Sequence, residues 1–145
     1  MTQTQDDTLS VVVERTIAHP PEKIWRALTE PHLIEEWLMK GDFRPAVGHR
    51  FGFRADWGAV DCEVLDIEPP HLLAYSWGDH DLKSIVTWTL TPTGSGTRLR
   101  MEQTGFRRDQ PRYFGGAKAG WPHFLDRLEE VVGRLDDGAV AAEQA

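Results

Sequence analysis

Large aromatic side chains are the feature of this sequence that most clearly suggests a chemical role, because it contains six tryptophans and six phenylalanines. Many of these rings alternate with polar residues, so they fall on one face of a predicted strand. Such rings line small-molecule pockets as well as cores, and tyrosine and tryptophan also carry polar atoms that orient ligands. Each ring taken singly favours core packing, but the set predicts a partly open apolar pocket. The candidate ligand-binding residues are Trp37, Phe51, Phe53, Tyr75, Trp77, Trp88, Met101, Phe114, Trp121 and Phe124.

Groups that could act as catalysts or metal ligands show no comparable pattern. None of the six histidines has a spacing typical of metal ligands, and His123, near the expected pocket mouth, is better explained as solvated than as a general base. Cys62 lies on the apolar face of a predicted strand and is expected to be a buried, unreactive thiol. Its neighbours Asp61 and Glu63 are expected to face solvent. We therefore predict no catalytic residue, no metal site and no cofactor.

The elements that position these rings are predicted from periodicity. Residues 9–18 form a first strand, and two short helices follow up to Gly41. A weak strand candidate lies at Asp42–Arg44. Alternating residues from 49 to 102 then predict strands joined by short turns, which is typical of an antiparallel meander. The apolar parity changes at Val64–Leu65, and this change predicts a bulge that curves the sheet.

The C-terminal part of the sequence predicts one long amphipathic helix. Residues 110–119 are rich in glycine, and we interpret them as a mobile loop or a short helix with Gly115-Gly116 as a hinge. Apolar residues then recur every three or four positions from Trp121 to Leu135, with Pro122 in the first turn. This helix of about 16 residues spans about 24 Å, enough to cover the apolar face of the sheet. A cavity is expected where the bent sheet and the helix do not meet.

Length and composition limit the remaining possibilities. The 145 residues match one domain, and 40% hydrophobic residues are typical of a globular core. A net charge of −7 argues against a nucleic-acid partner, which needs a basic surface. The single cysteine and the lack of any long apolar run predict a soluble cytoplasmic protein without a signal peptide or membrane span. We expect residues 1–8 to be a disordered lead-in, residues 9–137 the domain and residues 138–145 a flexible tail.

One strand, two short helices, a run of strands and one long helix indicate an α+β fold. Several segments stand in an order and spacing that are together quite specific: residues 13–25 (VERTIAHPPEKIW), 27–31 (ALTEP), Trp37, 63–70 (EVLDIEPP), 73–77 (LAYSW) and 120–122 (GWP). With them the chain resembles the START-like superfamily, and within it the relatives of the activator of the heat-shock protein 90 ATPase. The resemblance covers roughly residues 11–135. It implies a helix-grip fold, in which a curved antiparallel sheet of about six or seven strands surrounds a long C-terminal helix, with two short helices after the first strand.

The resemblance implies binding of apolar small molecules or of a protein partner, and three functions stay open. The first is binding of a hydrophobic small molecule, such as a lipid or a polycyclic aromatic metabolite, which the excess of rings favours. The second is a co-chaperone-like module that acts on a heat-shock chaperone ATPase, the founding activity of the family. The third, ranked lower because no acid or base is identified, is an enzyme resembling the polyketide cyclases and dehydratases of the superfamily.

Overall fold

The computed structural model describes residues 8–55, 58–78 and 82–135. It confirms the α+β class: two short helices follow the first strand, and the long helix comes last. The lead-in up to residue 7, the turn at 79–81 and the tail at 138–145 lie outside the described residues. The elements are β1 (Thr8–Ile17), α1 (Pro21–Thr29), α2 (Pro31–Trp37), β2 (Lys40–Gly41), β3 (Arg50–Ala55), β4 (Gly58–Glu68), β5 (Leu72–Gly78), β6 (Lys83–Pro92), β7 (Thr97–Arg107) and α3 (Pro111–Arg134).

The seven strands form one antiparallel sheet in the order β1-β7-β6-β5-β4-β3-β2. The strands from β2 to β7 are a meander, and β1 joins its far edge by pairing with β7. The predicted bulge is confirmed, because the register between β4 and β5 shifts between Val64 and Asp66. A second bend lies at Gly105, whose φ of 102° is strained for other residues and whose Cα passes close to the carbonyl oxygen of Lys83. The bends curve the sheet around its apolar face.

The two short helices close one end of this apolar face. Pro21 and Pro31 each occupy the first turn of a helix, where the missing N–H has no partner to lose. The indole N–H of Trp37 donates a hydrogen bond to the carbonyl oxygen of Ala27 at 2.8 Å, so the end of α2 is fixed against α1. Both helices bury apolar side chains in the same core as the sheet.

The strand candidate at Asp42–Arg44 was wrong, because the sheet ends with Lys40–Gly41 instead. Gly41 lies so close to β3 that an added Cβ would stand 2.6 Å from the carbonyl oxygen of Gly52. After this contact the chain leaves the sheet edge and turns Phe43 into the core, where 2% of its surface is exposed. Burial of the ring therefore takes precedence over strand pairing in this segment.

The long helix begins ten residues earlier than the sequence predicts, at Pro111 instead of Trp121. Pro122 lies inside it, and Gly115-Gly116 is helical, so the predicted hinge is not observed. Each glycine weakens a helix by about 1 kcal/mol relative to alanine. Tyr113, Phe114 and Ala117 offset this loss by packing against the core from the same turns of the helix.

Arg15 of β1 ties the second half of α3 to the sheet. Its guanidinium donates hydrogen bonds to the carboxylates of Asp126 at 2.7 Å and Glu129 at 2.9 Å, and to the carbonyl oxygen of Pro122 at 3.2 Å. The two carboxylates raise the pKa of Arg15. The half of the helix after Pro122 is thus anchored, whereas the half before it spans the open end of the sheet. Neither α3 nor any other helix in the described part of the chain is long and apolar enough to cross a membrane.

Candidate ligand-binding site

A cavity of about 340 Å³ lies between the first half of α3 and the concave face of the sheet. Ala59 at the start of β4 and Gly116 on α3 are exposed, so the cavity opens to solvent between these two elements. Its other walls are largely apolar and aromatic. The residues that line it are Ala59, Val60, Trp77, Leu82, Gln103, Phe106, Tyr113, Gly116, Ala117, Gly120, Trp121 and Phe124.

The helical wall of the cavity is shaped by two glycines. The lining residues of α3 recur every three or four positions from Tyr113 to Phe124, which places them on one face of the helix. At Gly116 an added Cβ would meet no atom within 4 Å, and at Gly120 it would meet only the Phe124 ring at 3.8 Å. Space therefore remains where side chains would otherwise fill the gap between the helix and the sheet. The glycines that suggested a loop in the sequence make room for the cavity.

The sheet contributes the opposite wall from inward-facing positions of β4, β5 and β7. Val60, Trp77 and Phe106 are buried and alternate with outward-facing neighbours. The rings of Trp77 and Trp121 lie 5.4 Å apart, and Phe124 packs edge-on against Trp121 at 5.5 Å. These three rings form a continuous aromatic part of the cavity wall.

A buried polar chain runs through this wall. The indole N–H of Trp121 donates to Oε1 of Gln103 at 2.6 Å, and Nε2 of Gln103 donates to Oγ of Ser84 at 2.8 Å. The Ser84 hydroxyl in turn donates to the carbonyl oxygen of Trp77 at 2.6 Å. Only 1% of the Gln103 surface is exposed, so the chain is formed away from bulk solvent. It connects α3 with β5, β6 and β7 and fixes the side chains at the base of the cavity.

Of the ten residues proposed from the sequence, Trp77, Trp121 and Phe124 line the cavity. Phe114 lies next to it and packs edge-on against Phe106 at 5.8 Å. The other six are buried in the core behind the cavity: Trp37, Phe51, Phe53, Tyr75, Trp88 and Met101. The five that lie on strands face inward, as the alternation predicts, and Trp37 is buried at the end of α2. Periodicity does not show which part of the sheet the long helix covers closely.

The core rings behind the cavity form their own network. Trp88 packs edge-on between Trp37 at 5.6 Å and Trp121 at 5.8 Å. Its indole N–H donates to the hydroxyl oxygen of Tyr75 at 3.0 Å. Burial raises the pKa of Tyr75, so this hydroxyl stays neutral in the physiological range. The indole N–H thus has its acceptor inside the core, which is typical of tryptophan used as a core residue.

Sequence reasoning missed nine of the residues that line the cavity: Ala59, Val60, Leu82, Gln103, Phe106, Tyr113, Gly116, Ala117 and Gly120. Gln103 carries a signal that could have been recognised, since it follows Leu99 and Met101 on the inward parity of β7, where an amide is unusual. The glycines carry a weaker one: they lie eight and four residues before Phe124, a spacing that places all three on one face of a helix. Their meaning becomes clear only once residues 111–121 are known to be helical.

Cys62 is buried, as predicted, while its neighbour Asp61 is exposed and Glu63 is half-buried. Within residues 8–55, 58–78 and 82–135, histidine, cysteine and carboxylate side chains form no group of three that could hold a metal ion. Cys62 is buried, and its pKa is raised first by burial and second by the charge of Asp61. A thiol that stays protonated is a poor nucleophile and a poor metal ligand.

We expect the protein to lose stability more steeply than a Cys62→Ala variant between about pH 8 and pH 10. An unfolded thiol ionises near its ordinary pKa of about 8.5, whereas the folded thiol keeps its proton through this range. The stability that comes from keeping the Cys62 thiol neutral in the folded state is therefore fully present below the unfolded pKa of about 8.5. It is lost as the pH rises above this value, by about 2 kcal/mol at pH 10. Burial, the main cause of the raised pKa of Tyr75, is common to both proteins, so most of the contribution of Tyr75 cancels. Chemical denaturation at both pH values measures the difference; parallel losses would contradict a buried neutral thiol.

Comparison with known proteins agrees with this architecture. A model of the family described as activator of Hsp90 ATPase homolog 1-like protein matches residues 18–133. The chain belongs to this family. The match spans both short helices, the sheet from β2 onward and nearly all of α3. It therefore includes every residue that lines the cavity. No curated protein sequence matches the chain.

Solved structures of similar proteins show the same helix-grip fold. Protein MLL2253 from Mesorhizobium loti is 62% identical, with a TM-score of 0.86 over 88% of this chain and 99% of that one. DynU16, from the dynemicin biosynthetic locus, is 25% identical, with a TM-score of 0.77; the match covers 86% of this chain but only 47% of DynU16. The Aha1 dimer from Colwellia psychrerythraea is 19% identical, with a TM-score of 0.78, and the match covers 86% of this chain and 96% of the Colwellia chain. At this identity the similarity supports the fold alone.

Proposed function

We propose that this family member binds a hydrophobic small molecule, a lipid or a polycyclic aromatic metabolite, in the cavity between the sheet and α3. The observation that carries the proposal is the cavity itself, walled by Trp77, Trp121 and Phe124 and kept open by Gly116 and Gly120. Its volume of about 340 Å³ falls in the range of known ligand pockets, about 300–1,000 Å³. Side chains normally fill the gap between a helix and a sheet to high density, whereas Gly116 and Gly120 leave this part of the gap open.

The chemistry of the lining favours binding over catalysis. Among the described residues that line the cavity there is no carboxylate, imidazole, ammonium, guanidinium or thiol group. These groups carry out most general acid–base and nucleophilic catalysis, and the phenol of Tyr113 is the one other group of a catalytic type among the described lining residues. A cyclase or dehydratase function, which the occurrence of DynU16 in a biosynthetic locus would otherwise suggest, is therefore less well supported than storage or transport of the same kind of metabolite. The cytoplasmic location belongs to the same proposal.

Native mass spectrometry of the protein purified from its own host tests this function. We expect a fraction of the molecules to carry an apolar compound that organic extraction releases. A Gly116→Leu/Gly120→Leu variant prepared in parallel should lack the extra mass, because its side chains occupy the cavity. An identical adduct on both proteins would show that the compound is bound elsewhere.

A second candidate is a partner-binding module for a heat-shock chaperone, which the family match supports. The test is the ATPase rate of the host's own Hsp90 with and without the protein. A concentration-dependent change in rate, unaffected by filling the cavity, would favour this candidate over small-molecule binding.

A further inference from the structure

We infer that the ligand carries a hydrogen-bond acceptor oxygen, such as a ketone or quinone carbonyl, and that the side-chain amide of Gln103 recognises it. The inference rests on the proposed function, since it concerns the same cavity. Gln103 is the one lining residue whose side chain is both an amide and almost fully buried. The structure shows how its amide is oriented and which of its hydrogen-bonding groups is left over.

The orientation of the amide follows from its two partners. An indole N–H can only donate, so the Gln103 atom 2.6 Å from Nε1 of Trp121 must be the oxygen, Oε1. The nitrogen, Nε2, then donates one hydrogen to Oγ of Ser84, which uses its own proton on the carbonyl oxygen of Trp77. The three hydrogen bonds therefore run in one direction, from Trp121 through Gln103 and Ser84 to the carbonyl oxygen of Trp77. If the amide were flipped, Nε2 of Gln103 would face the indole N–H of Trp121, and two donors would stand opposite each other.

This arrangement leaves one N–H of Gln103 without an acceptor among the described residues. Nε2 has two hydrogens and only Ser84 accepts from it. A buried donor without a partner is unfavourable, so an acceptor oxygen supplied by a ligand is recognised there in preference to a methylene group. The Phe106 ring and the ring faces of Trp77 and Trp121, which also line the cavity, provide apolar contacts for the remainder of the ligand. The site thus fits a flat apolar body with one carbonyl oxygen.

The experiment compares 1-tetralone with tetralin, bicyclic molecules that differ by one carbonyl oxygen, on the wild type and on a Gln103→Met variant. Methionine keeps the length and apolar volume of the side chain but has no N–H. We expect the ratio of the two affinities to shift by about 3- to 10-fold against the ketone in the variant. Comparing ratios cancels the different hydration of the two ligands. Tryptophan fluorescence or NMR titration gives the dissociation constants.

A Ser84→Ala variant is the matched control, because it breaks the same polar chain but leaves the Gln103 amide in place. It should keep the wild-type ratio, and Gln103→Leu, which also lacks a donor, replaces the methionine variant if the latter does not fold. A ratio that is unchanged by loss of the Gln103 amide overturns this inference and assigns recognition to another donor, such as the Trp77 indole. An equal shift in Ser84→Ala also overturns it. If neither compound binds the wild type, the proposed function fails for this ligand class and the inference fails with it.

Discussion

Replacing both Gly116 and Gly120 with leucine is expected to weaken binding of 1-tetralone by at least about 100-fold while the fold becomes no less stable. The two leucine side chains enter a space in which an added Cβ meets only ordinary contacts or none. A ligand of this size buries about as much apolar area as an aromatic side chain, about 150–250 Å². Exclusion from the cavity removes about 4–6 kcal/mol of burial free energy. Each substitution also improves helix propensity by up to about 1 kcal/mol.

A Gly115→Leu/Gly133→Leu variant provides the control for this experiment. Both glycines lie in α3, and an added Cβ at either meets no atom within 4 Å, but neither lines the cavity. The control therefore makes the same two changes of residue type in the same helix. We expect wild-type affinity and a similar rise in Tm. Equal loss of binding in both variants would mean that altered helix stability, and not the filling of the cavity, determines affinity.

Replacing Trp88 with alanine is expected to lower the free energy of unfolding by about 3–5 kcal/mol. Trp88 has no exposed surface and packs edge-on against Trp37 and Trp121. Its removal opens a void among these rings and leaves the hydroxyl of Tyr75 without its indole donor. Because small proteins are stable by only about 5–15 kcal/mol, the loss is a large part of the total. Urea denaturation followed by far-UV circular dichroism measures it.

Trp25 offers the matched comparison for Trp88. It is a half-buried tryptophan on α1 that packs on the margin of the same core. The Trp25→Ala variant should lose less than half as much stability, because part of the Trp25 ring is already exposed to water in the folded protein and contributes no burial free energy. A loss at Trp88 no larger than the loss at Trp25 would show that Trp88 lines an open space instead of filling the core.

The general architecture could be predicted from the sequence because apolar residues that face the core alternate with polar residues that face solvent along each strand. Val60, Cys62 and Val64 are all buried, and the parity change that follows them coincides with the register shift of β4 against β5. A sheet with one apolar face needs a cover, and the apolar face of the C-terminal helix supplies it. These are local signals, and each one points to a single structural solution.

The site could be predicted only in part, because it depends on where packing is absent. Phe53 on β3 and Trp77 on β5 face the same side of the sheet on either side of β4, and their rings lie 5.7 Å apart. Phe53 is nevertheless core and Trp77 is a cavity wall, since only Trp77 lies opposite the glycine-containing turns of α3. The start of α3 was misjudged for the same reason: contacts of Tyr113 and Phe114 with the sheet outweigh the low helix propensity of the glycines.

The most direct test of the cavity as the ligand site is an NMR titration of the indole N–H signals with 1-tetralone. The signals of Trp77 and Trp121, whose rings line the cavity, should shift most. The signals of Trp25 and Trp37 should shift little, since neither residue lines it, and no signal should respond in the Gly116→Leu/Gly120→Leu variant. The account is contradicted if Trp77 and Trp121 stay unchanged at the solubility limit of the ketone, or if the filled variant shows the same shifts as the wild type.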